Sequence, residues 1–75
     1  MNTKEGFDGM ALCGKRIQSL RERTGRNRKV TSELCGLSSN ALSRYERGEV
    51  IPDLESLIKI ADYFDVSMDY LCGRK

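Results

Sequence analysis

The sequence predicts an all-α protein built from five short helices. Apolar residues recur at intervals of three and four along the chain, which is the spacing of one face of an α-helix. Serine, asparagine or aspartate stands where most of these stretches begin, and glycine stands where most of them end. The chain has 75 residues and one proline. It is therefore predicted to form one domain near the lower size limit for an unassisted apolar core.

The first helix is predicted from about Met10 to Gly25, where glycine suits the left-handed position that ends a helix. Its apolar face consists of Cys13, Ile17 and Leu20. Gly14 costs the helix about 1 kcal/mol relative to alanine, which indicates close packing or a frayed first turn. Residues 1–10 are polar and show no helical period, so we expect a flexible arm there and the folded domain at 11–75.

A second helix is predicted over Arg28–Cys35, with Asn27 as its cap and Gly36 at its end. The β-branched pair Val30 and Thr31 makes this segment a poor helix former. The candidates for its inward face are Leu34, Cys35 and either Val30 or Thr31.

A third helix is predicted between Gly36 and Gly48, with Ser38 as its cap and Leu37 packed on Leu42. Its outward face is unusual, because small hydrogen-bonding side chains replace the glutamate, lysine and glutamine that favour exposed helix. The outward residues are Ser39, Asn40, Ser43 and Arg44. Two short helices joined by a tight turn, the second with a polar outward face, predict a helix-turn-helix whose outward face contacts a partner.

Two further helices follow the glycine and proline that interrupt the chain after the third. The fourth is predicted over Leu54–Phe64 with Asp53 as its cap and Asp65 in a left-handed conformation at its end. Its apolar side is expected to comprise Leu54, Leu57, Ile58, Ile60, Ala61 and Phe64. The fifth is short, with Ser67 as its cap and Gly73 at its end.

Composition argues against catalysis, metal binding and membrane insertion. The chain has no histidine, no nucleophile beside a base and no glycine-rich phosphate loop, so we expect no enzyme and no cofactor. Cys13, Cys35 and Cys72 are far apart and odd in number, which predicts buried apolar thiols rather than disulfides or a metal site. No apolar run approaches the roughly 18 residues of a membrane span, and no signal peptide is present, so a cytoplasmic location without membrane contact is expected.

Charge is distributed unevenly along the chain. Lys15–Arg47 carries a net charge of +6 and Gly48–Lys75 carries −3, within a total of +2. This polarity suits a polyanionic ligand that meets one face of the protein. A solvated mixture of charges explains the same counts equally well, so charge alone leaves both interpretations open.

Several short motifs follow one another in a set order with gap-free spacing. They are Leu20-Arg21-Glu22, Gly36-Leu37-Ser38, the stretch 43–49 with Pro52, the stretch 57–61 and the stretch 66–71. Their arrangement resembles the Cro and phage-repressor (XRE) type of helix-turn-helix domain over roughly residues 12–73. The resemblance implies a five-helix, lambda-repressor-like domain that binds double-stranded DNA as a transcriptional regulator, commonly as a dimer.

The resemblance also implies roles for individual residues. Base contacts fall on Ser39, Asn40, Ser43 and Arg44. Phosphate contacts fall on Asn27, Arg28, Arg47 and Gly48, and the clustering of cations beside the third helix adds Lys29. Arg21 and Glu46 are expected to form a structural ion pair. The chain departs from the family where Thr31 and Ser32 replace a usual leucine and alanine, and where Arg28 replaces a glutamine.

Two functional hypotheses remain open on the sequence. The first is a sequence-specific DNA-binding repressor that recognises a palindromic operator as a dimer. The second is a protein-interaction module of the same fold, antitoxin-like or an anti-repressor, with little direct reading of DNA. The candidate residues for a homodimer face are Tyr63, Met68, Tyr70 and Cys72, although their helical spacing favours the core first.

Overall fold

The computed structural model describes residues 3–73, with side chains described from Leu12 onward, and it places five helices in that range. The helices are α1 Thr3–Thr24, α2 Arg28–Leu34, α3 Ala41–Glu46, α4 Leu54–Phe64 and α5 Met68–Leu71. No strand occurs within this part of the chain. The predicted all-α fold of five helices is confirmed.

Helix α1 begins well before its predicted start near Met10. Two glycines in its first turns do not stop it, because glycine weakens a helix by about 1 kcal/mol without removing a backbone donor as proline does. The backbone of the predicted arm is therefore helical from Thr3, and residues 1–2 lie outside the described residues. The division into an arm over 1–10 and a domain over 11–75 stays a prediction.

Three of the predicted side-chain caps are present. Asn27, Asp53 and Ser67 each accept a hydrogen bond from the backbone N–H three residues later, at 2.8, 2.9 and 3.0 Å. The cap predicted at Ser38 is different, because α3 begins later, at Ala41. There the backbone carbonyl of Ser38, rather than its hydroxyl, accepts the Ala41 N–H at 3.0 Å.

A small apolar core lies between the helices, and α1 packs against both α3 and α5. The core cluster consists of Cys13, Ile17, Leu20, Cys35, Leu42, Ile60, Ala61 and Leu71. Asp65 ends α4 in the predicted left-handed conformation, with φ 57° and ψ 48°. Aspartate tolerates this conformation because its short polar side chain forms local hydrogen bonds.

The face that helix α2 presents to the core differs in part from the one predicted. Leu34 is 51 % exposed and Val30 is 39 % exposed, whereas Thr31 and Ser32 are fully buried. Burial of the two hydroxyls is tolerated because each donates to the backbone carbonyl four residues earlier, at 2.8 Å in both cases. Of the predicted inward residues, Cys35 is buried and Thr31 rather than Val30 supplies the remaining contact.

Helix α4 contributes less apolar surface to the core than predicted. Ile60 and Ala61 are buried, and Leu57 and Phe64 pack partly buried against the core. Leu54 and Ile58 are exposed, because the apolar side of α4 is wider than the surface it shares with its neighbours.

The cysteines follow the prediction in two cases out of three. Cys13 and Cys35 are buried, whereas Cys72 is only half-buried, and all three are free thiols. Desolvation raises the pKa of Cys13 and of Cys35 to about 11. Among the described residues no group of histidine, cysteine, aspartate or glutamate side chains is placed to hold a metal ion. Between Thr3 and Gly73 no helix combines the length and the apolar character that crossing a bilayer requires.

Gly14 marks a close approach between α1 and α3. A Cβ atom built at this position overlaps the carbonyl oxygen of Tyr45 and lies 3.5 Å from the Cα atom of Glu46. Both neighbours are backbone atoms, which cannot move aside as a flexible side chain does. Of the two interpretations of Gly14, close packing is therefore confirmed, and α1 does not fray there.

We expect Gly14→Ala to destabilise the protein by about 1–3 kcal/mol, because overpacking outweighs the gain in helix propensity. The measurement is urea unfolding followed by circular dichroism. Lys15→Ala is the matched control, since it alters an exposed residue of the same helix. A Gly14→Ala variant as stable as the parent would contradict the close approach.

The buried thiols predict a loss of stability at alkaline pH. Their folded pKa of about 11 exceeds the 9.0 of an unperturbed thiol, so the unfolded chain releases these protons first. The stabilisation that comes from keeping these two thiols protonated is complete below pH 9 and declines as the pH rises toward 11. Urea unfolding across this interval should show a smaller decline for a Cys13→Ala, Cys35→Ala double variant, and equal declines would contradict the assignment.

Candidate nucleic-acid interface

Helices α2 and α3 are joined by a tight turn over residues 35–40. Gly36 adopts φ 84°, a conformation that side-chain-bearing residues rarely adopt, and the Leu37 N–H donates to the Ser32 carbonyl at 2.9 Å. The conformation of Gly36 and this hydrogen bond end α2 and redirect the chain into α3. The predicted helix-turn-helix is therefore present.

The Ser32 hydroxyl connects α2 to α3 by hydrogen bonds. It donates to the Arg28 carbonyl at 2.8 Å and accepts from the N–H of Leu42 at 3.0 Å. The first N–H groups of a helix have no partner within it, so Ser32 performs for α3 part of the capping predicted for Ser38. Sequence reasoning missed this role because Ser32 lies ten residues from Leu42 and in a different helix.

An open depression of about 390 Å³ lies between the start of α2 and the outward face of α3. Its lining residues are Arg21, Asn27, Arg28, Lys29, Ser39, Asn40 and Ser43. Apart from Arg21, all of them were predicted from the sequence as base or phosphate contacts. The structure thus brings together three of the predicted base-contact residues and three of the predicted phosphate-contact residues.

Two cations predicted to contact DNA, Arg44 and Arg47, lie outside this depression. Arg47 donates through Nε to Glu49 at 2.7 Å and through Nη1 to the Ser43 hydroxyl at 2.7 Å. The hydrogen bond from Arg47 Nε to Glu49, aided by the charges of Arg47 and Arg44, holds the pKa of Glu49 below its usual range. The Arg44 side chain is exposed and forms no hydrogen bond within the described residues, whereas its backbone N–H donates to the Asn40 carbonyl at 3.1 Å and its carbonyl accepts from the Glu49 N–H at 2.9 Å.

Gly48 also lies outside the depression. Its N–H donates to the Tyr45 carbonyl at 3.1 Å, and its φ is 75°. A Cβ atom at Gly48 would meet nothing within 4 Å. The position is therefore open to close approach by another molecule, although its N–H is already engaged.

A partly buried ion pair joins α1 to the end of α3, as predicted. Arg21 donates through Nε and Nη2 to the two carboxylate oxygens of Glu46, at 2.8 and 3.1 Å. The side chains are 13 % and 2 % exposed, and the hydrogen bond with Glu46 raises the pKa of Arg21. Arg28 adds a longer contact, 3.6 Å from Nη1 to Glu46 Oε1, which the sequence did not indicate.

Ser39 and Asn40 stand where the turn enters α3. The Ser39 hydroxyl donates to Glu33 Oε2 at 2.8 Å. Asn40 occupies the N-cap position, yet its exposed amide makes no capping hydrogen bond. Its amide is therefore available to a ligand. Glu33 was not predicted as part of the site, because no sequence pattern pairs residues six apart across a turn.

In a comparison with known families, residues 17–71 match the family described as helix-turn-helix. This range includes every predicted contact residue.

Several curated proteins are similar in sequence. The HTH-type transcriptional regulator ImmR of Bacillus subtilis is 38 % identical over 61 residues, which are 81 % of this chain and 48 % of ImmR. The cryptic phage CTXphi transcriptional repressor RstR of Vibrio cholerae is 35 % identical over 60 residues, 80 % of this chain and 54 % of RstR. The chain thus spans about half the length of these relatives, which are named as transcriptional regulators and not as enzymes.

A solved structure shares the fold. The crystal structure of the P22 c2 repressor protein in complex with the synthetic operator 9T superposes with a TM-score of 0.78 and 30 % sequence identity. The match covers 85 % of this chain and 97 % of that one. It therefore includes nearly all of the five-helix domain.

The hydrogen bonds of Ser32 predict its effect on stability. Ser32→Ala leaves the buried N–H of Leu42 without a partner, and we expect a loss of about 1–3 kcal/mol. Thr31→Val is the matched control, because the Asn27 carbonyl still accepts the N–H of residue 31. Urea unfolding should show a clearly smaller loss for Thr31→Val. Equal losses would show that Ser32 does not fasten α3.

Proposed function

The chain belongs to the helix-turn-helix family, and from this premise we propose that it is a transcriptional regulator that binds double-stranded DNA in a sequence-specific manner. The observation that carries the proposal is the depression between α2 and α3, which gathers predicted base and phosphate contacts on one exposed face. Two similar proteins, RstR and the P22 c2 protein, are named as repressors. We therefore propose repression as the outcome of binding.

In this proposal α3 enters the major groove, where each base pair presents a distinct pattern of donors and acceptors. The exposed Asn40 amide pairs with adenine, and the Arg44 guanidinium pairs with guanine O6 and N7. Ser39 and Ser43, both half-buried on the same face, contribute hydroxyl contacts.

The phosphate contacts lie on both sides of α3. Asn27 Oδ1 is engaged as the cap of α2, so the Asn27 amide N–H groups, with Arg28 and Lys29, are the donors on one side. Arg47 supplies the charge on the other side. Gly48 contributes by the absence of a side chain, which allows the DNA backbone to approach, rather than through its N–H.

A dimer on a palindromic operator completes the proposal. Tyr63, Met68 and Tyr70 pack partly buried against the core, and Cys72 is half-buried. These residues remain the proposed homodimer face. Because the ligand is DNA, we also propose that the protein acts in the cytoplasm, by binding and without catalysis.

Substitution of two cations tests both the proposal and the division of roles. Lys29→Ala should weaken binding to every sequence alike and lower the slope of log affinity against log salt by about 0.9. Arg44→Ala should cost about 1–3 kcal/mol at one base position of the selected site. The measurement is fluorescence anisotropy with a duplex selected from a random pool and with an unrelated duplex, over a range of salt concentrations.

Arg23→Ala is the matched control for these variants. Arg23 is exposed and lies about 200° around α1 from Arg21, on the side away from α3. Its loss should change affinity and salt dependence little. Salt-independent binding, or no binding to any duplex, would instead favour the protein-interaction module, whose function would tolerate loss of the Lys29 charge.

A further inference from the structure

Two serines that line the depression, Ser39 in the turn before α3 and Ser43 in α3, differ in their hydrogen bonds within the protein. A serine hydroxyl has one proton to donate and two lone pairs to accept with, and a free hydroxyl rotates to suit its partner. A fixed partner within the protein removes this freedom. Ser39 and Ser43 each have such a partner, and the two partners differ in chemistry.

The hydroxyl proton of Ser39 is used in a hydrogen bond to Glu33. The Ser39 Oγ lies 2.8 Å from Oε2 of Glu33, and an ionised carboxylate only accepts hydrogen bonds. The proton of the Ser39 hydroxyl must therefore point at Glu33. What Ser39 still presents outward is a pair of lone pairs, next to a negative charge.

One lone pair of the Ser43 hydroxyl accepts a hydrogen bond from Arg47. Nη1 of Arg47 lies 2.7 Å from the Ser43 Oγ, and a guanidinium only donates. The proton of Ser43 is therefore not consumed by this bond. Glu49 binds Nε of the same guanidinium at 2.7 Å and so helps to hold Arg47 in the donating position.

On the proposed function as a premise, we infer that Ser39 accepts a hydrogen bond from a base amino group and that Ser43 donates one to a base acceptor. The amino groups exposed in the major groove are cytosine N4 and adenine N6. The acceptors are guanine O6 and N7, adenine N7 and thymine O4. Glu33 and Arg47 are the positioning residues that set these two preferences.

The negative charge of Glu33 favours the same base groups at Ser39 as the hydrogen bond between the two residues does. A carboxylate beside the lone pairs of Ser39 repels the acceptor atoms of guanine and attracts amino groups. Guanine is therefore disfavoured at the base that Ser39 meets. The guanidinium of Arg47 beside Ser43 favours acceptor atoms, although Glu49 offsets part of its charge.

The test substitutes single atoms of the DNA and uses the unaltered protein. Selection from random duplexes with the parent and with Ser39→Ala and Ser43→Ala identifies the base that each hydroxyl contacts. At the Ser39 base, removal of the exocyclic amino group should weaken binding roughly 2- to 12-fold, the range of one net hydrogen bond. At the Ser43 base, removal of the acceptor atom should have an effect of similar size. Each effect should vanish in the corresponding alanine variant.

Glu33→Gln tests the positioning role. Glutamine also carries donors, so Ser39 is no longer obliged to present only lone pairs. In Glu33→Gln the preference against guanine should become weaker at the Ser39 base and at no other position. Addition of Ser39→Ala to Glu33→Gln should not change this preference further. Glu33 is exposed, and binding to an unrelated duplex checks that the variant is folded.

The possible results separate the inference from its premise. If no duplex binds, the proposed function fails and the inference fails with it. If a duplex binds selectively but the parent prefers guanine at the Ser39 base, or is indifferent to loss of the amino group there, the inference is wrong while the proposed function stands.

Discussion

The partly buried ion pair between Arg21 and Glu46 is the constraint on which the interface depends. It attaches the last turn of α3 to α1 through two hydrogen bonds, from Nε and Nη2 of Arg21 to the two carboxylate oxygens of Glu46. Desolvation offsets much of the attraction in such a pair, so its main effect is on geometry. Together with the close approach at Gly14, it determines how α3 lies against the core and which side of α3 faces outward.

The beginning of α3 is held by a different kind of contact. A helix of six residues is not stable alone in water, so its position must come from its neighbours. Ser32 supplies one of the missing N–H partners, and Leu42 is fully buried in the core. With both ends held by α1 and α2, the polar outward residues do not need to contribute to folding and are available for binding.

Much of this arrangement was predictable from local rules, whereas the contacts between helices were not. The caps at Asn27, Asp53 and Ser67 depend on residues three positions apart, so the sequence reveals them. The pair of Arg21 with Glu46 came from the resemblance. The burial of Ser32 was missed, and that of Thr31 was only one of two alternatives, because both hydroxyls are satisfied by backbone carbonyls. This makes the two residues compatible with a core that composition would fill with Leu34 and Val30.

The central claim is that the outward side of α3, with the start of α2, binds duplex DNA. The most direct measurement is a nuclear magnetic resonance titration that follows each backbone amide as a selected duplex is added. The account predicts that the largest shifts lie in residues 27–29 and 39–48, with small shifts in α4 and α5. Shifts concentrated in α4 and α5, with the outward side of α3 unaffected, would contradict it.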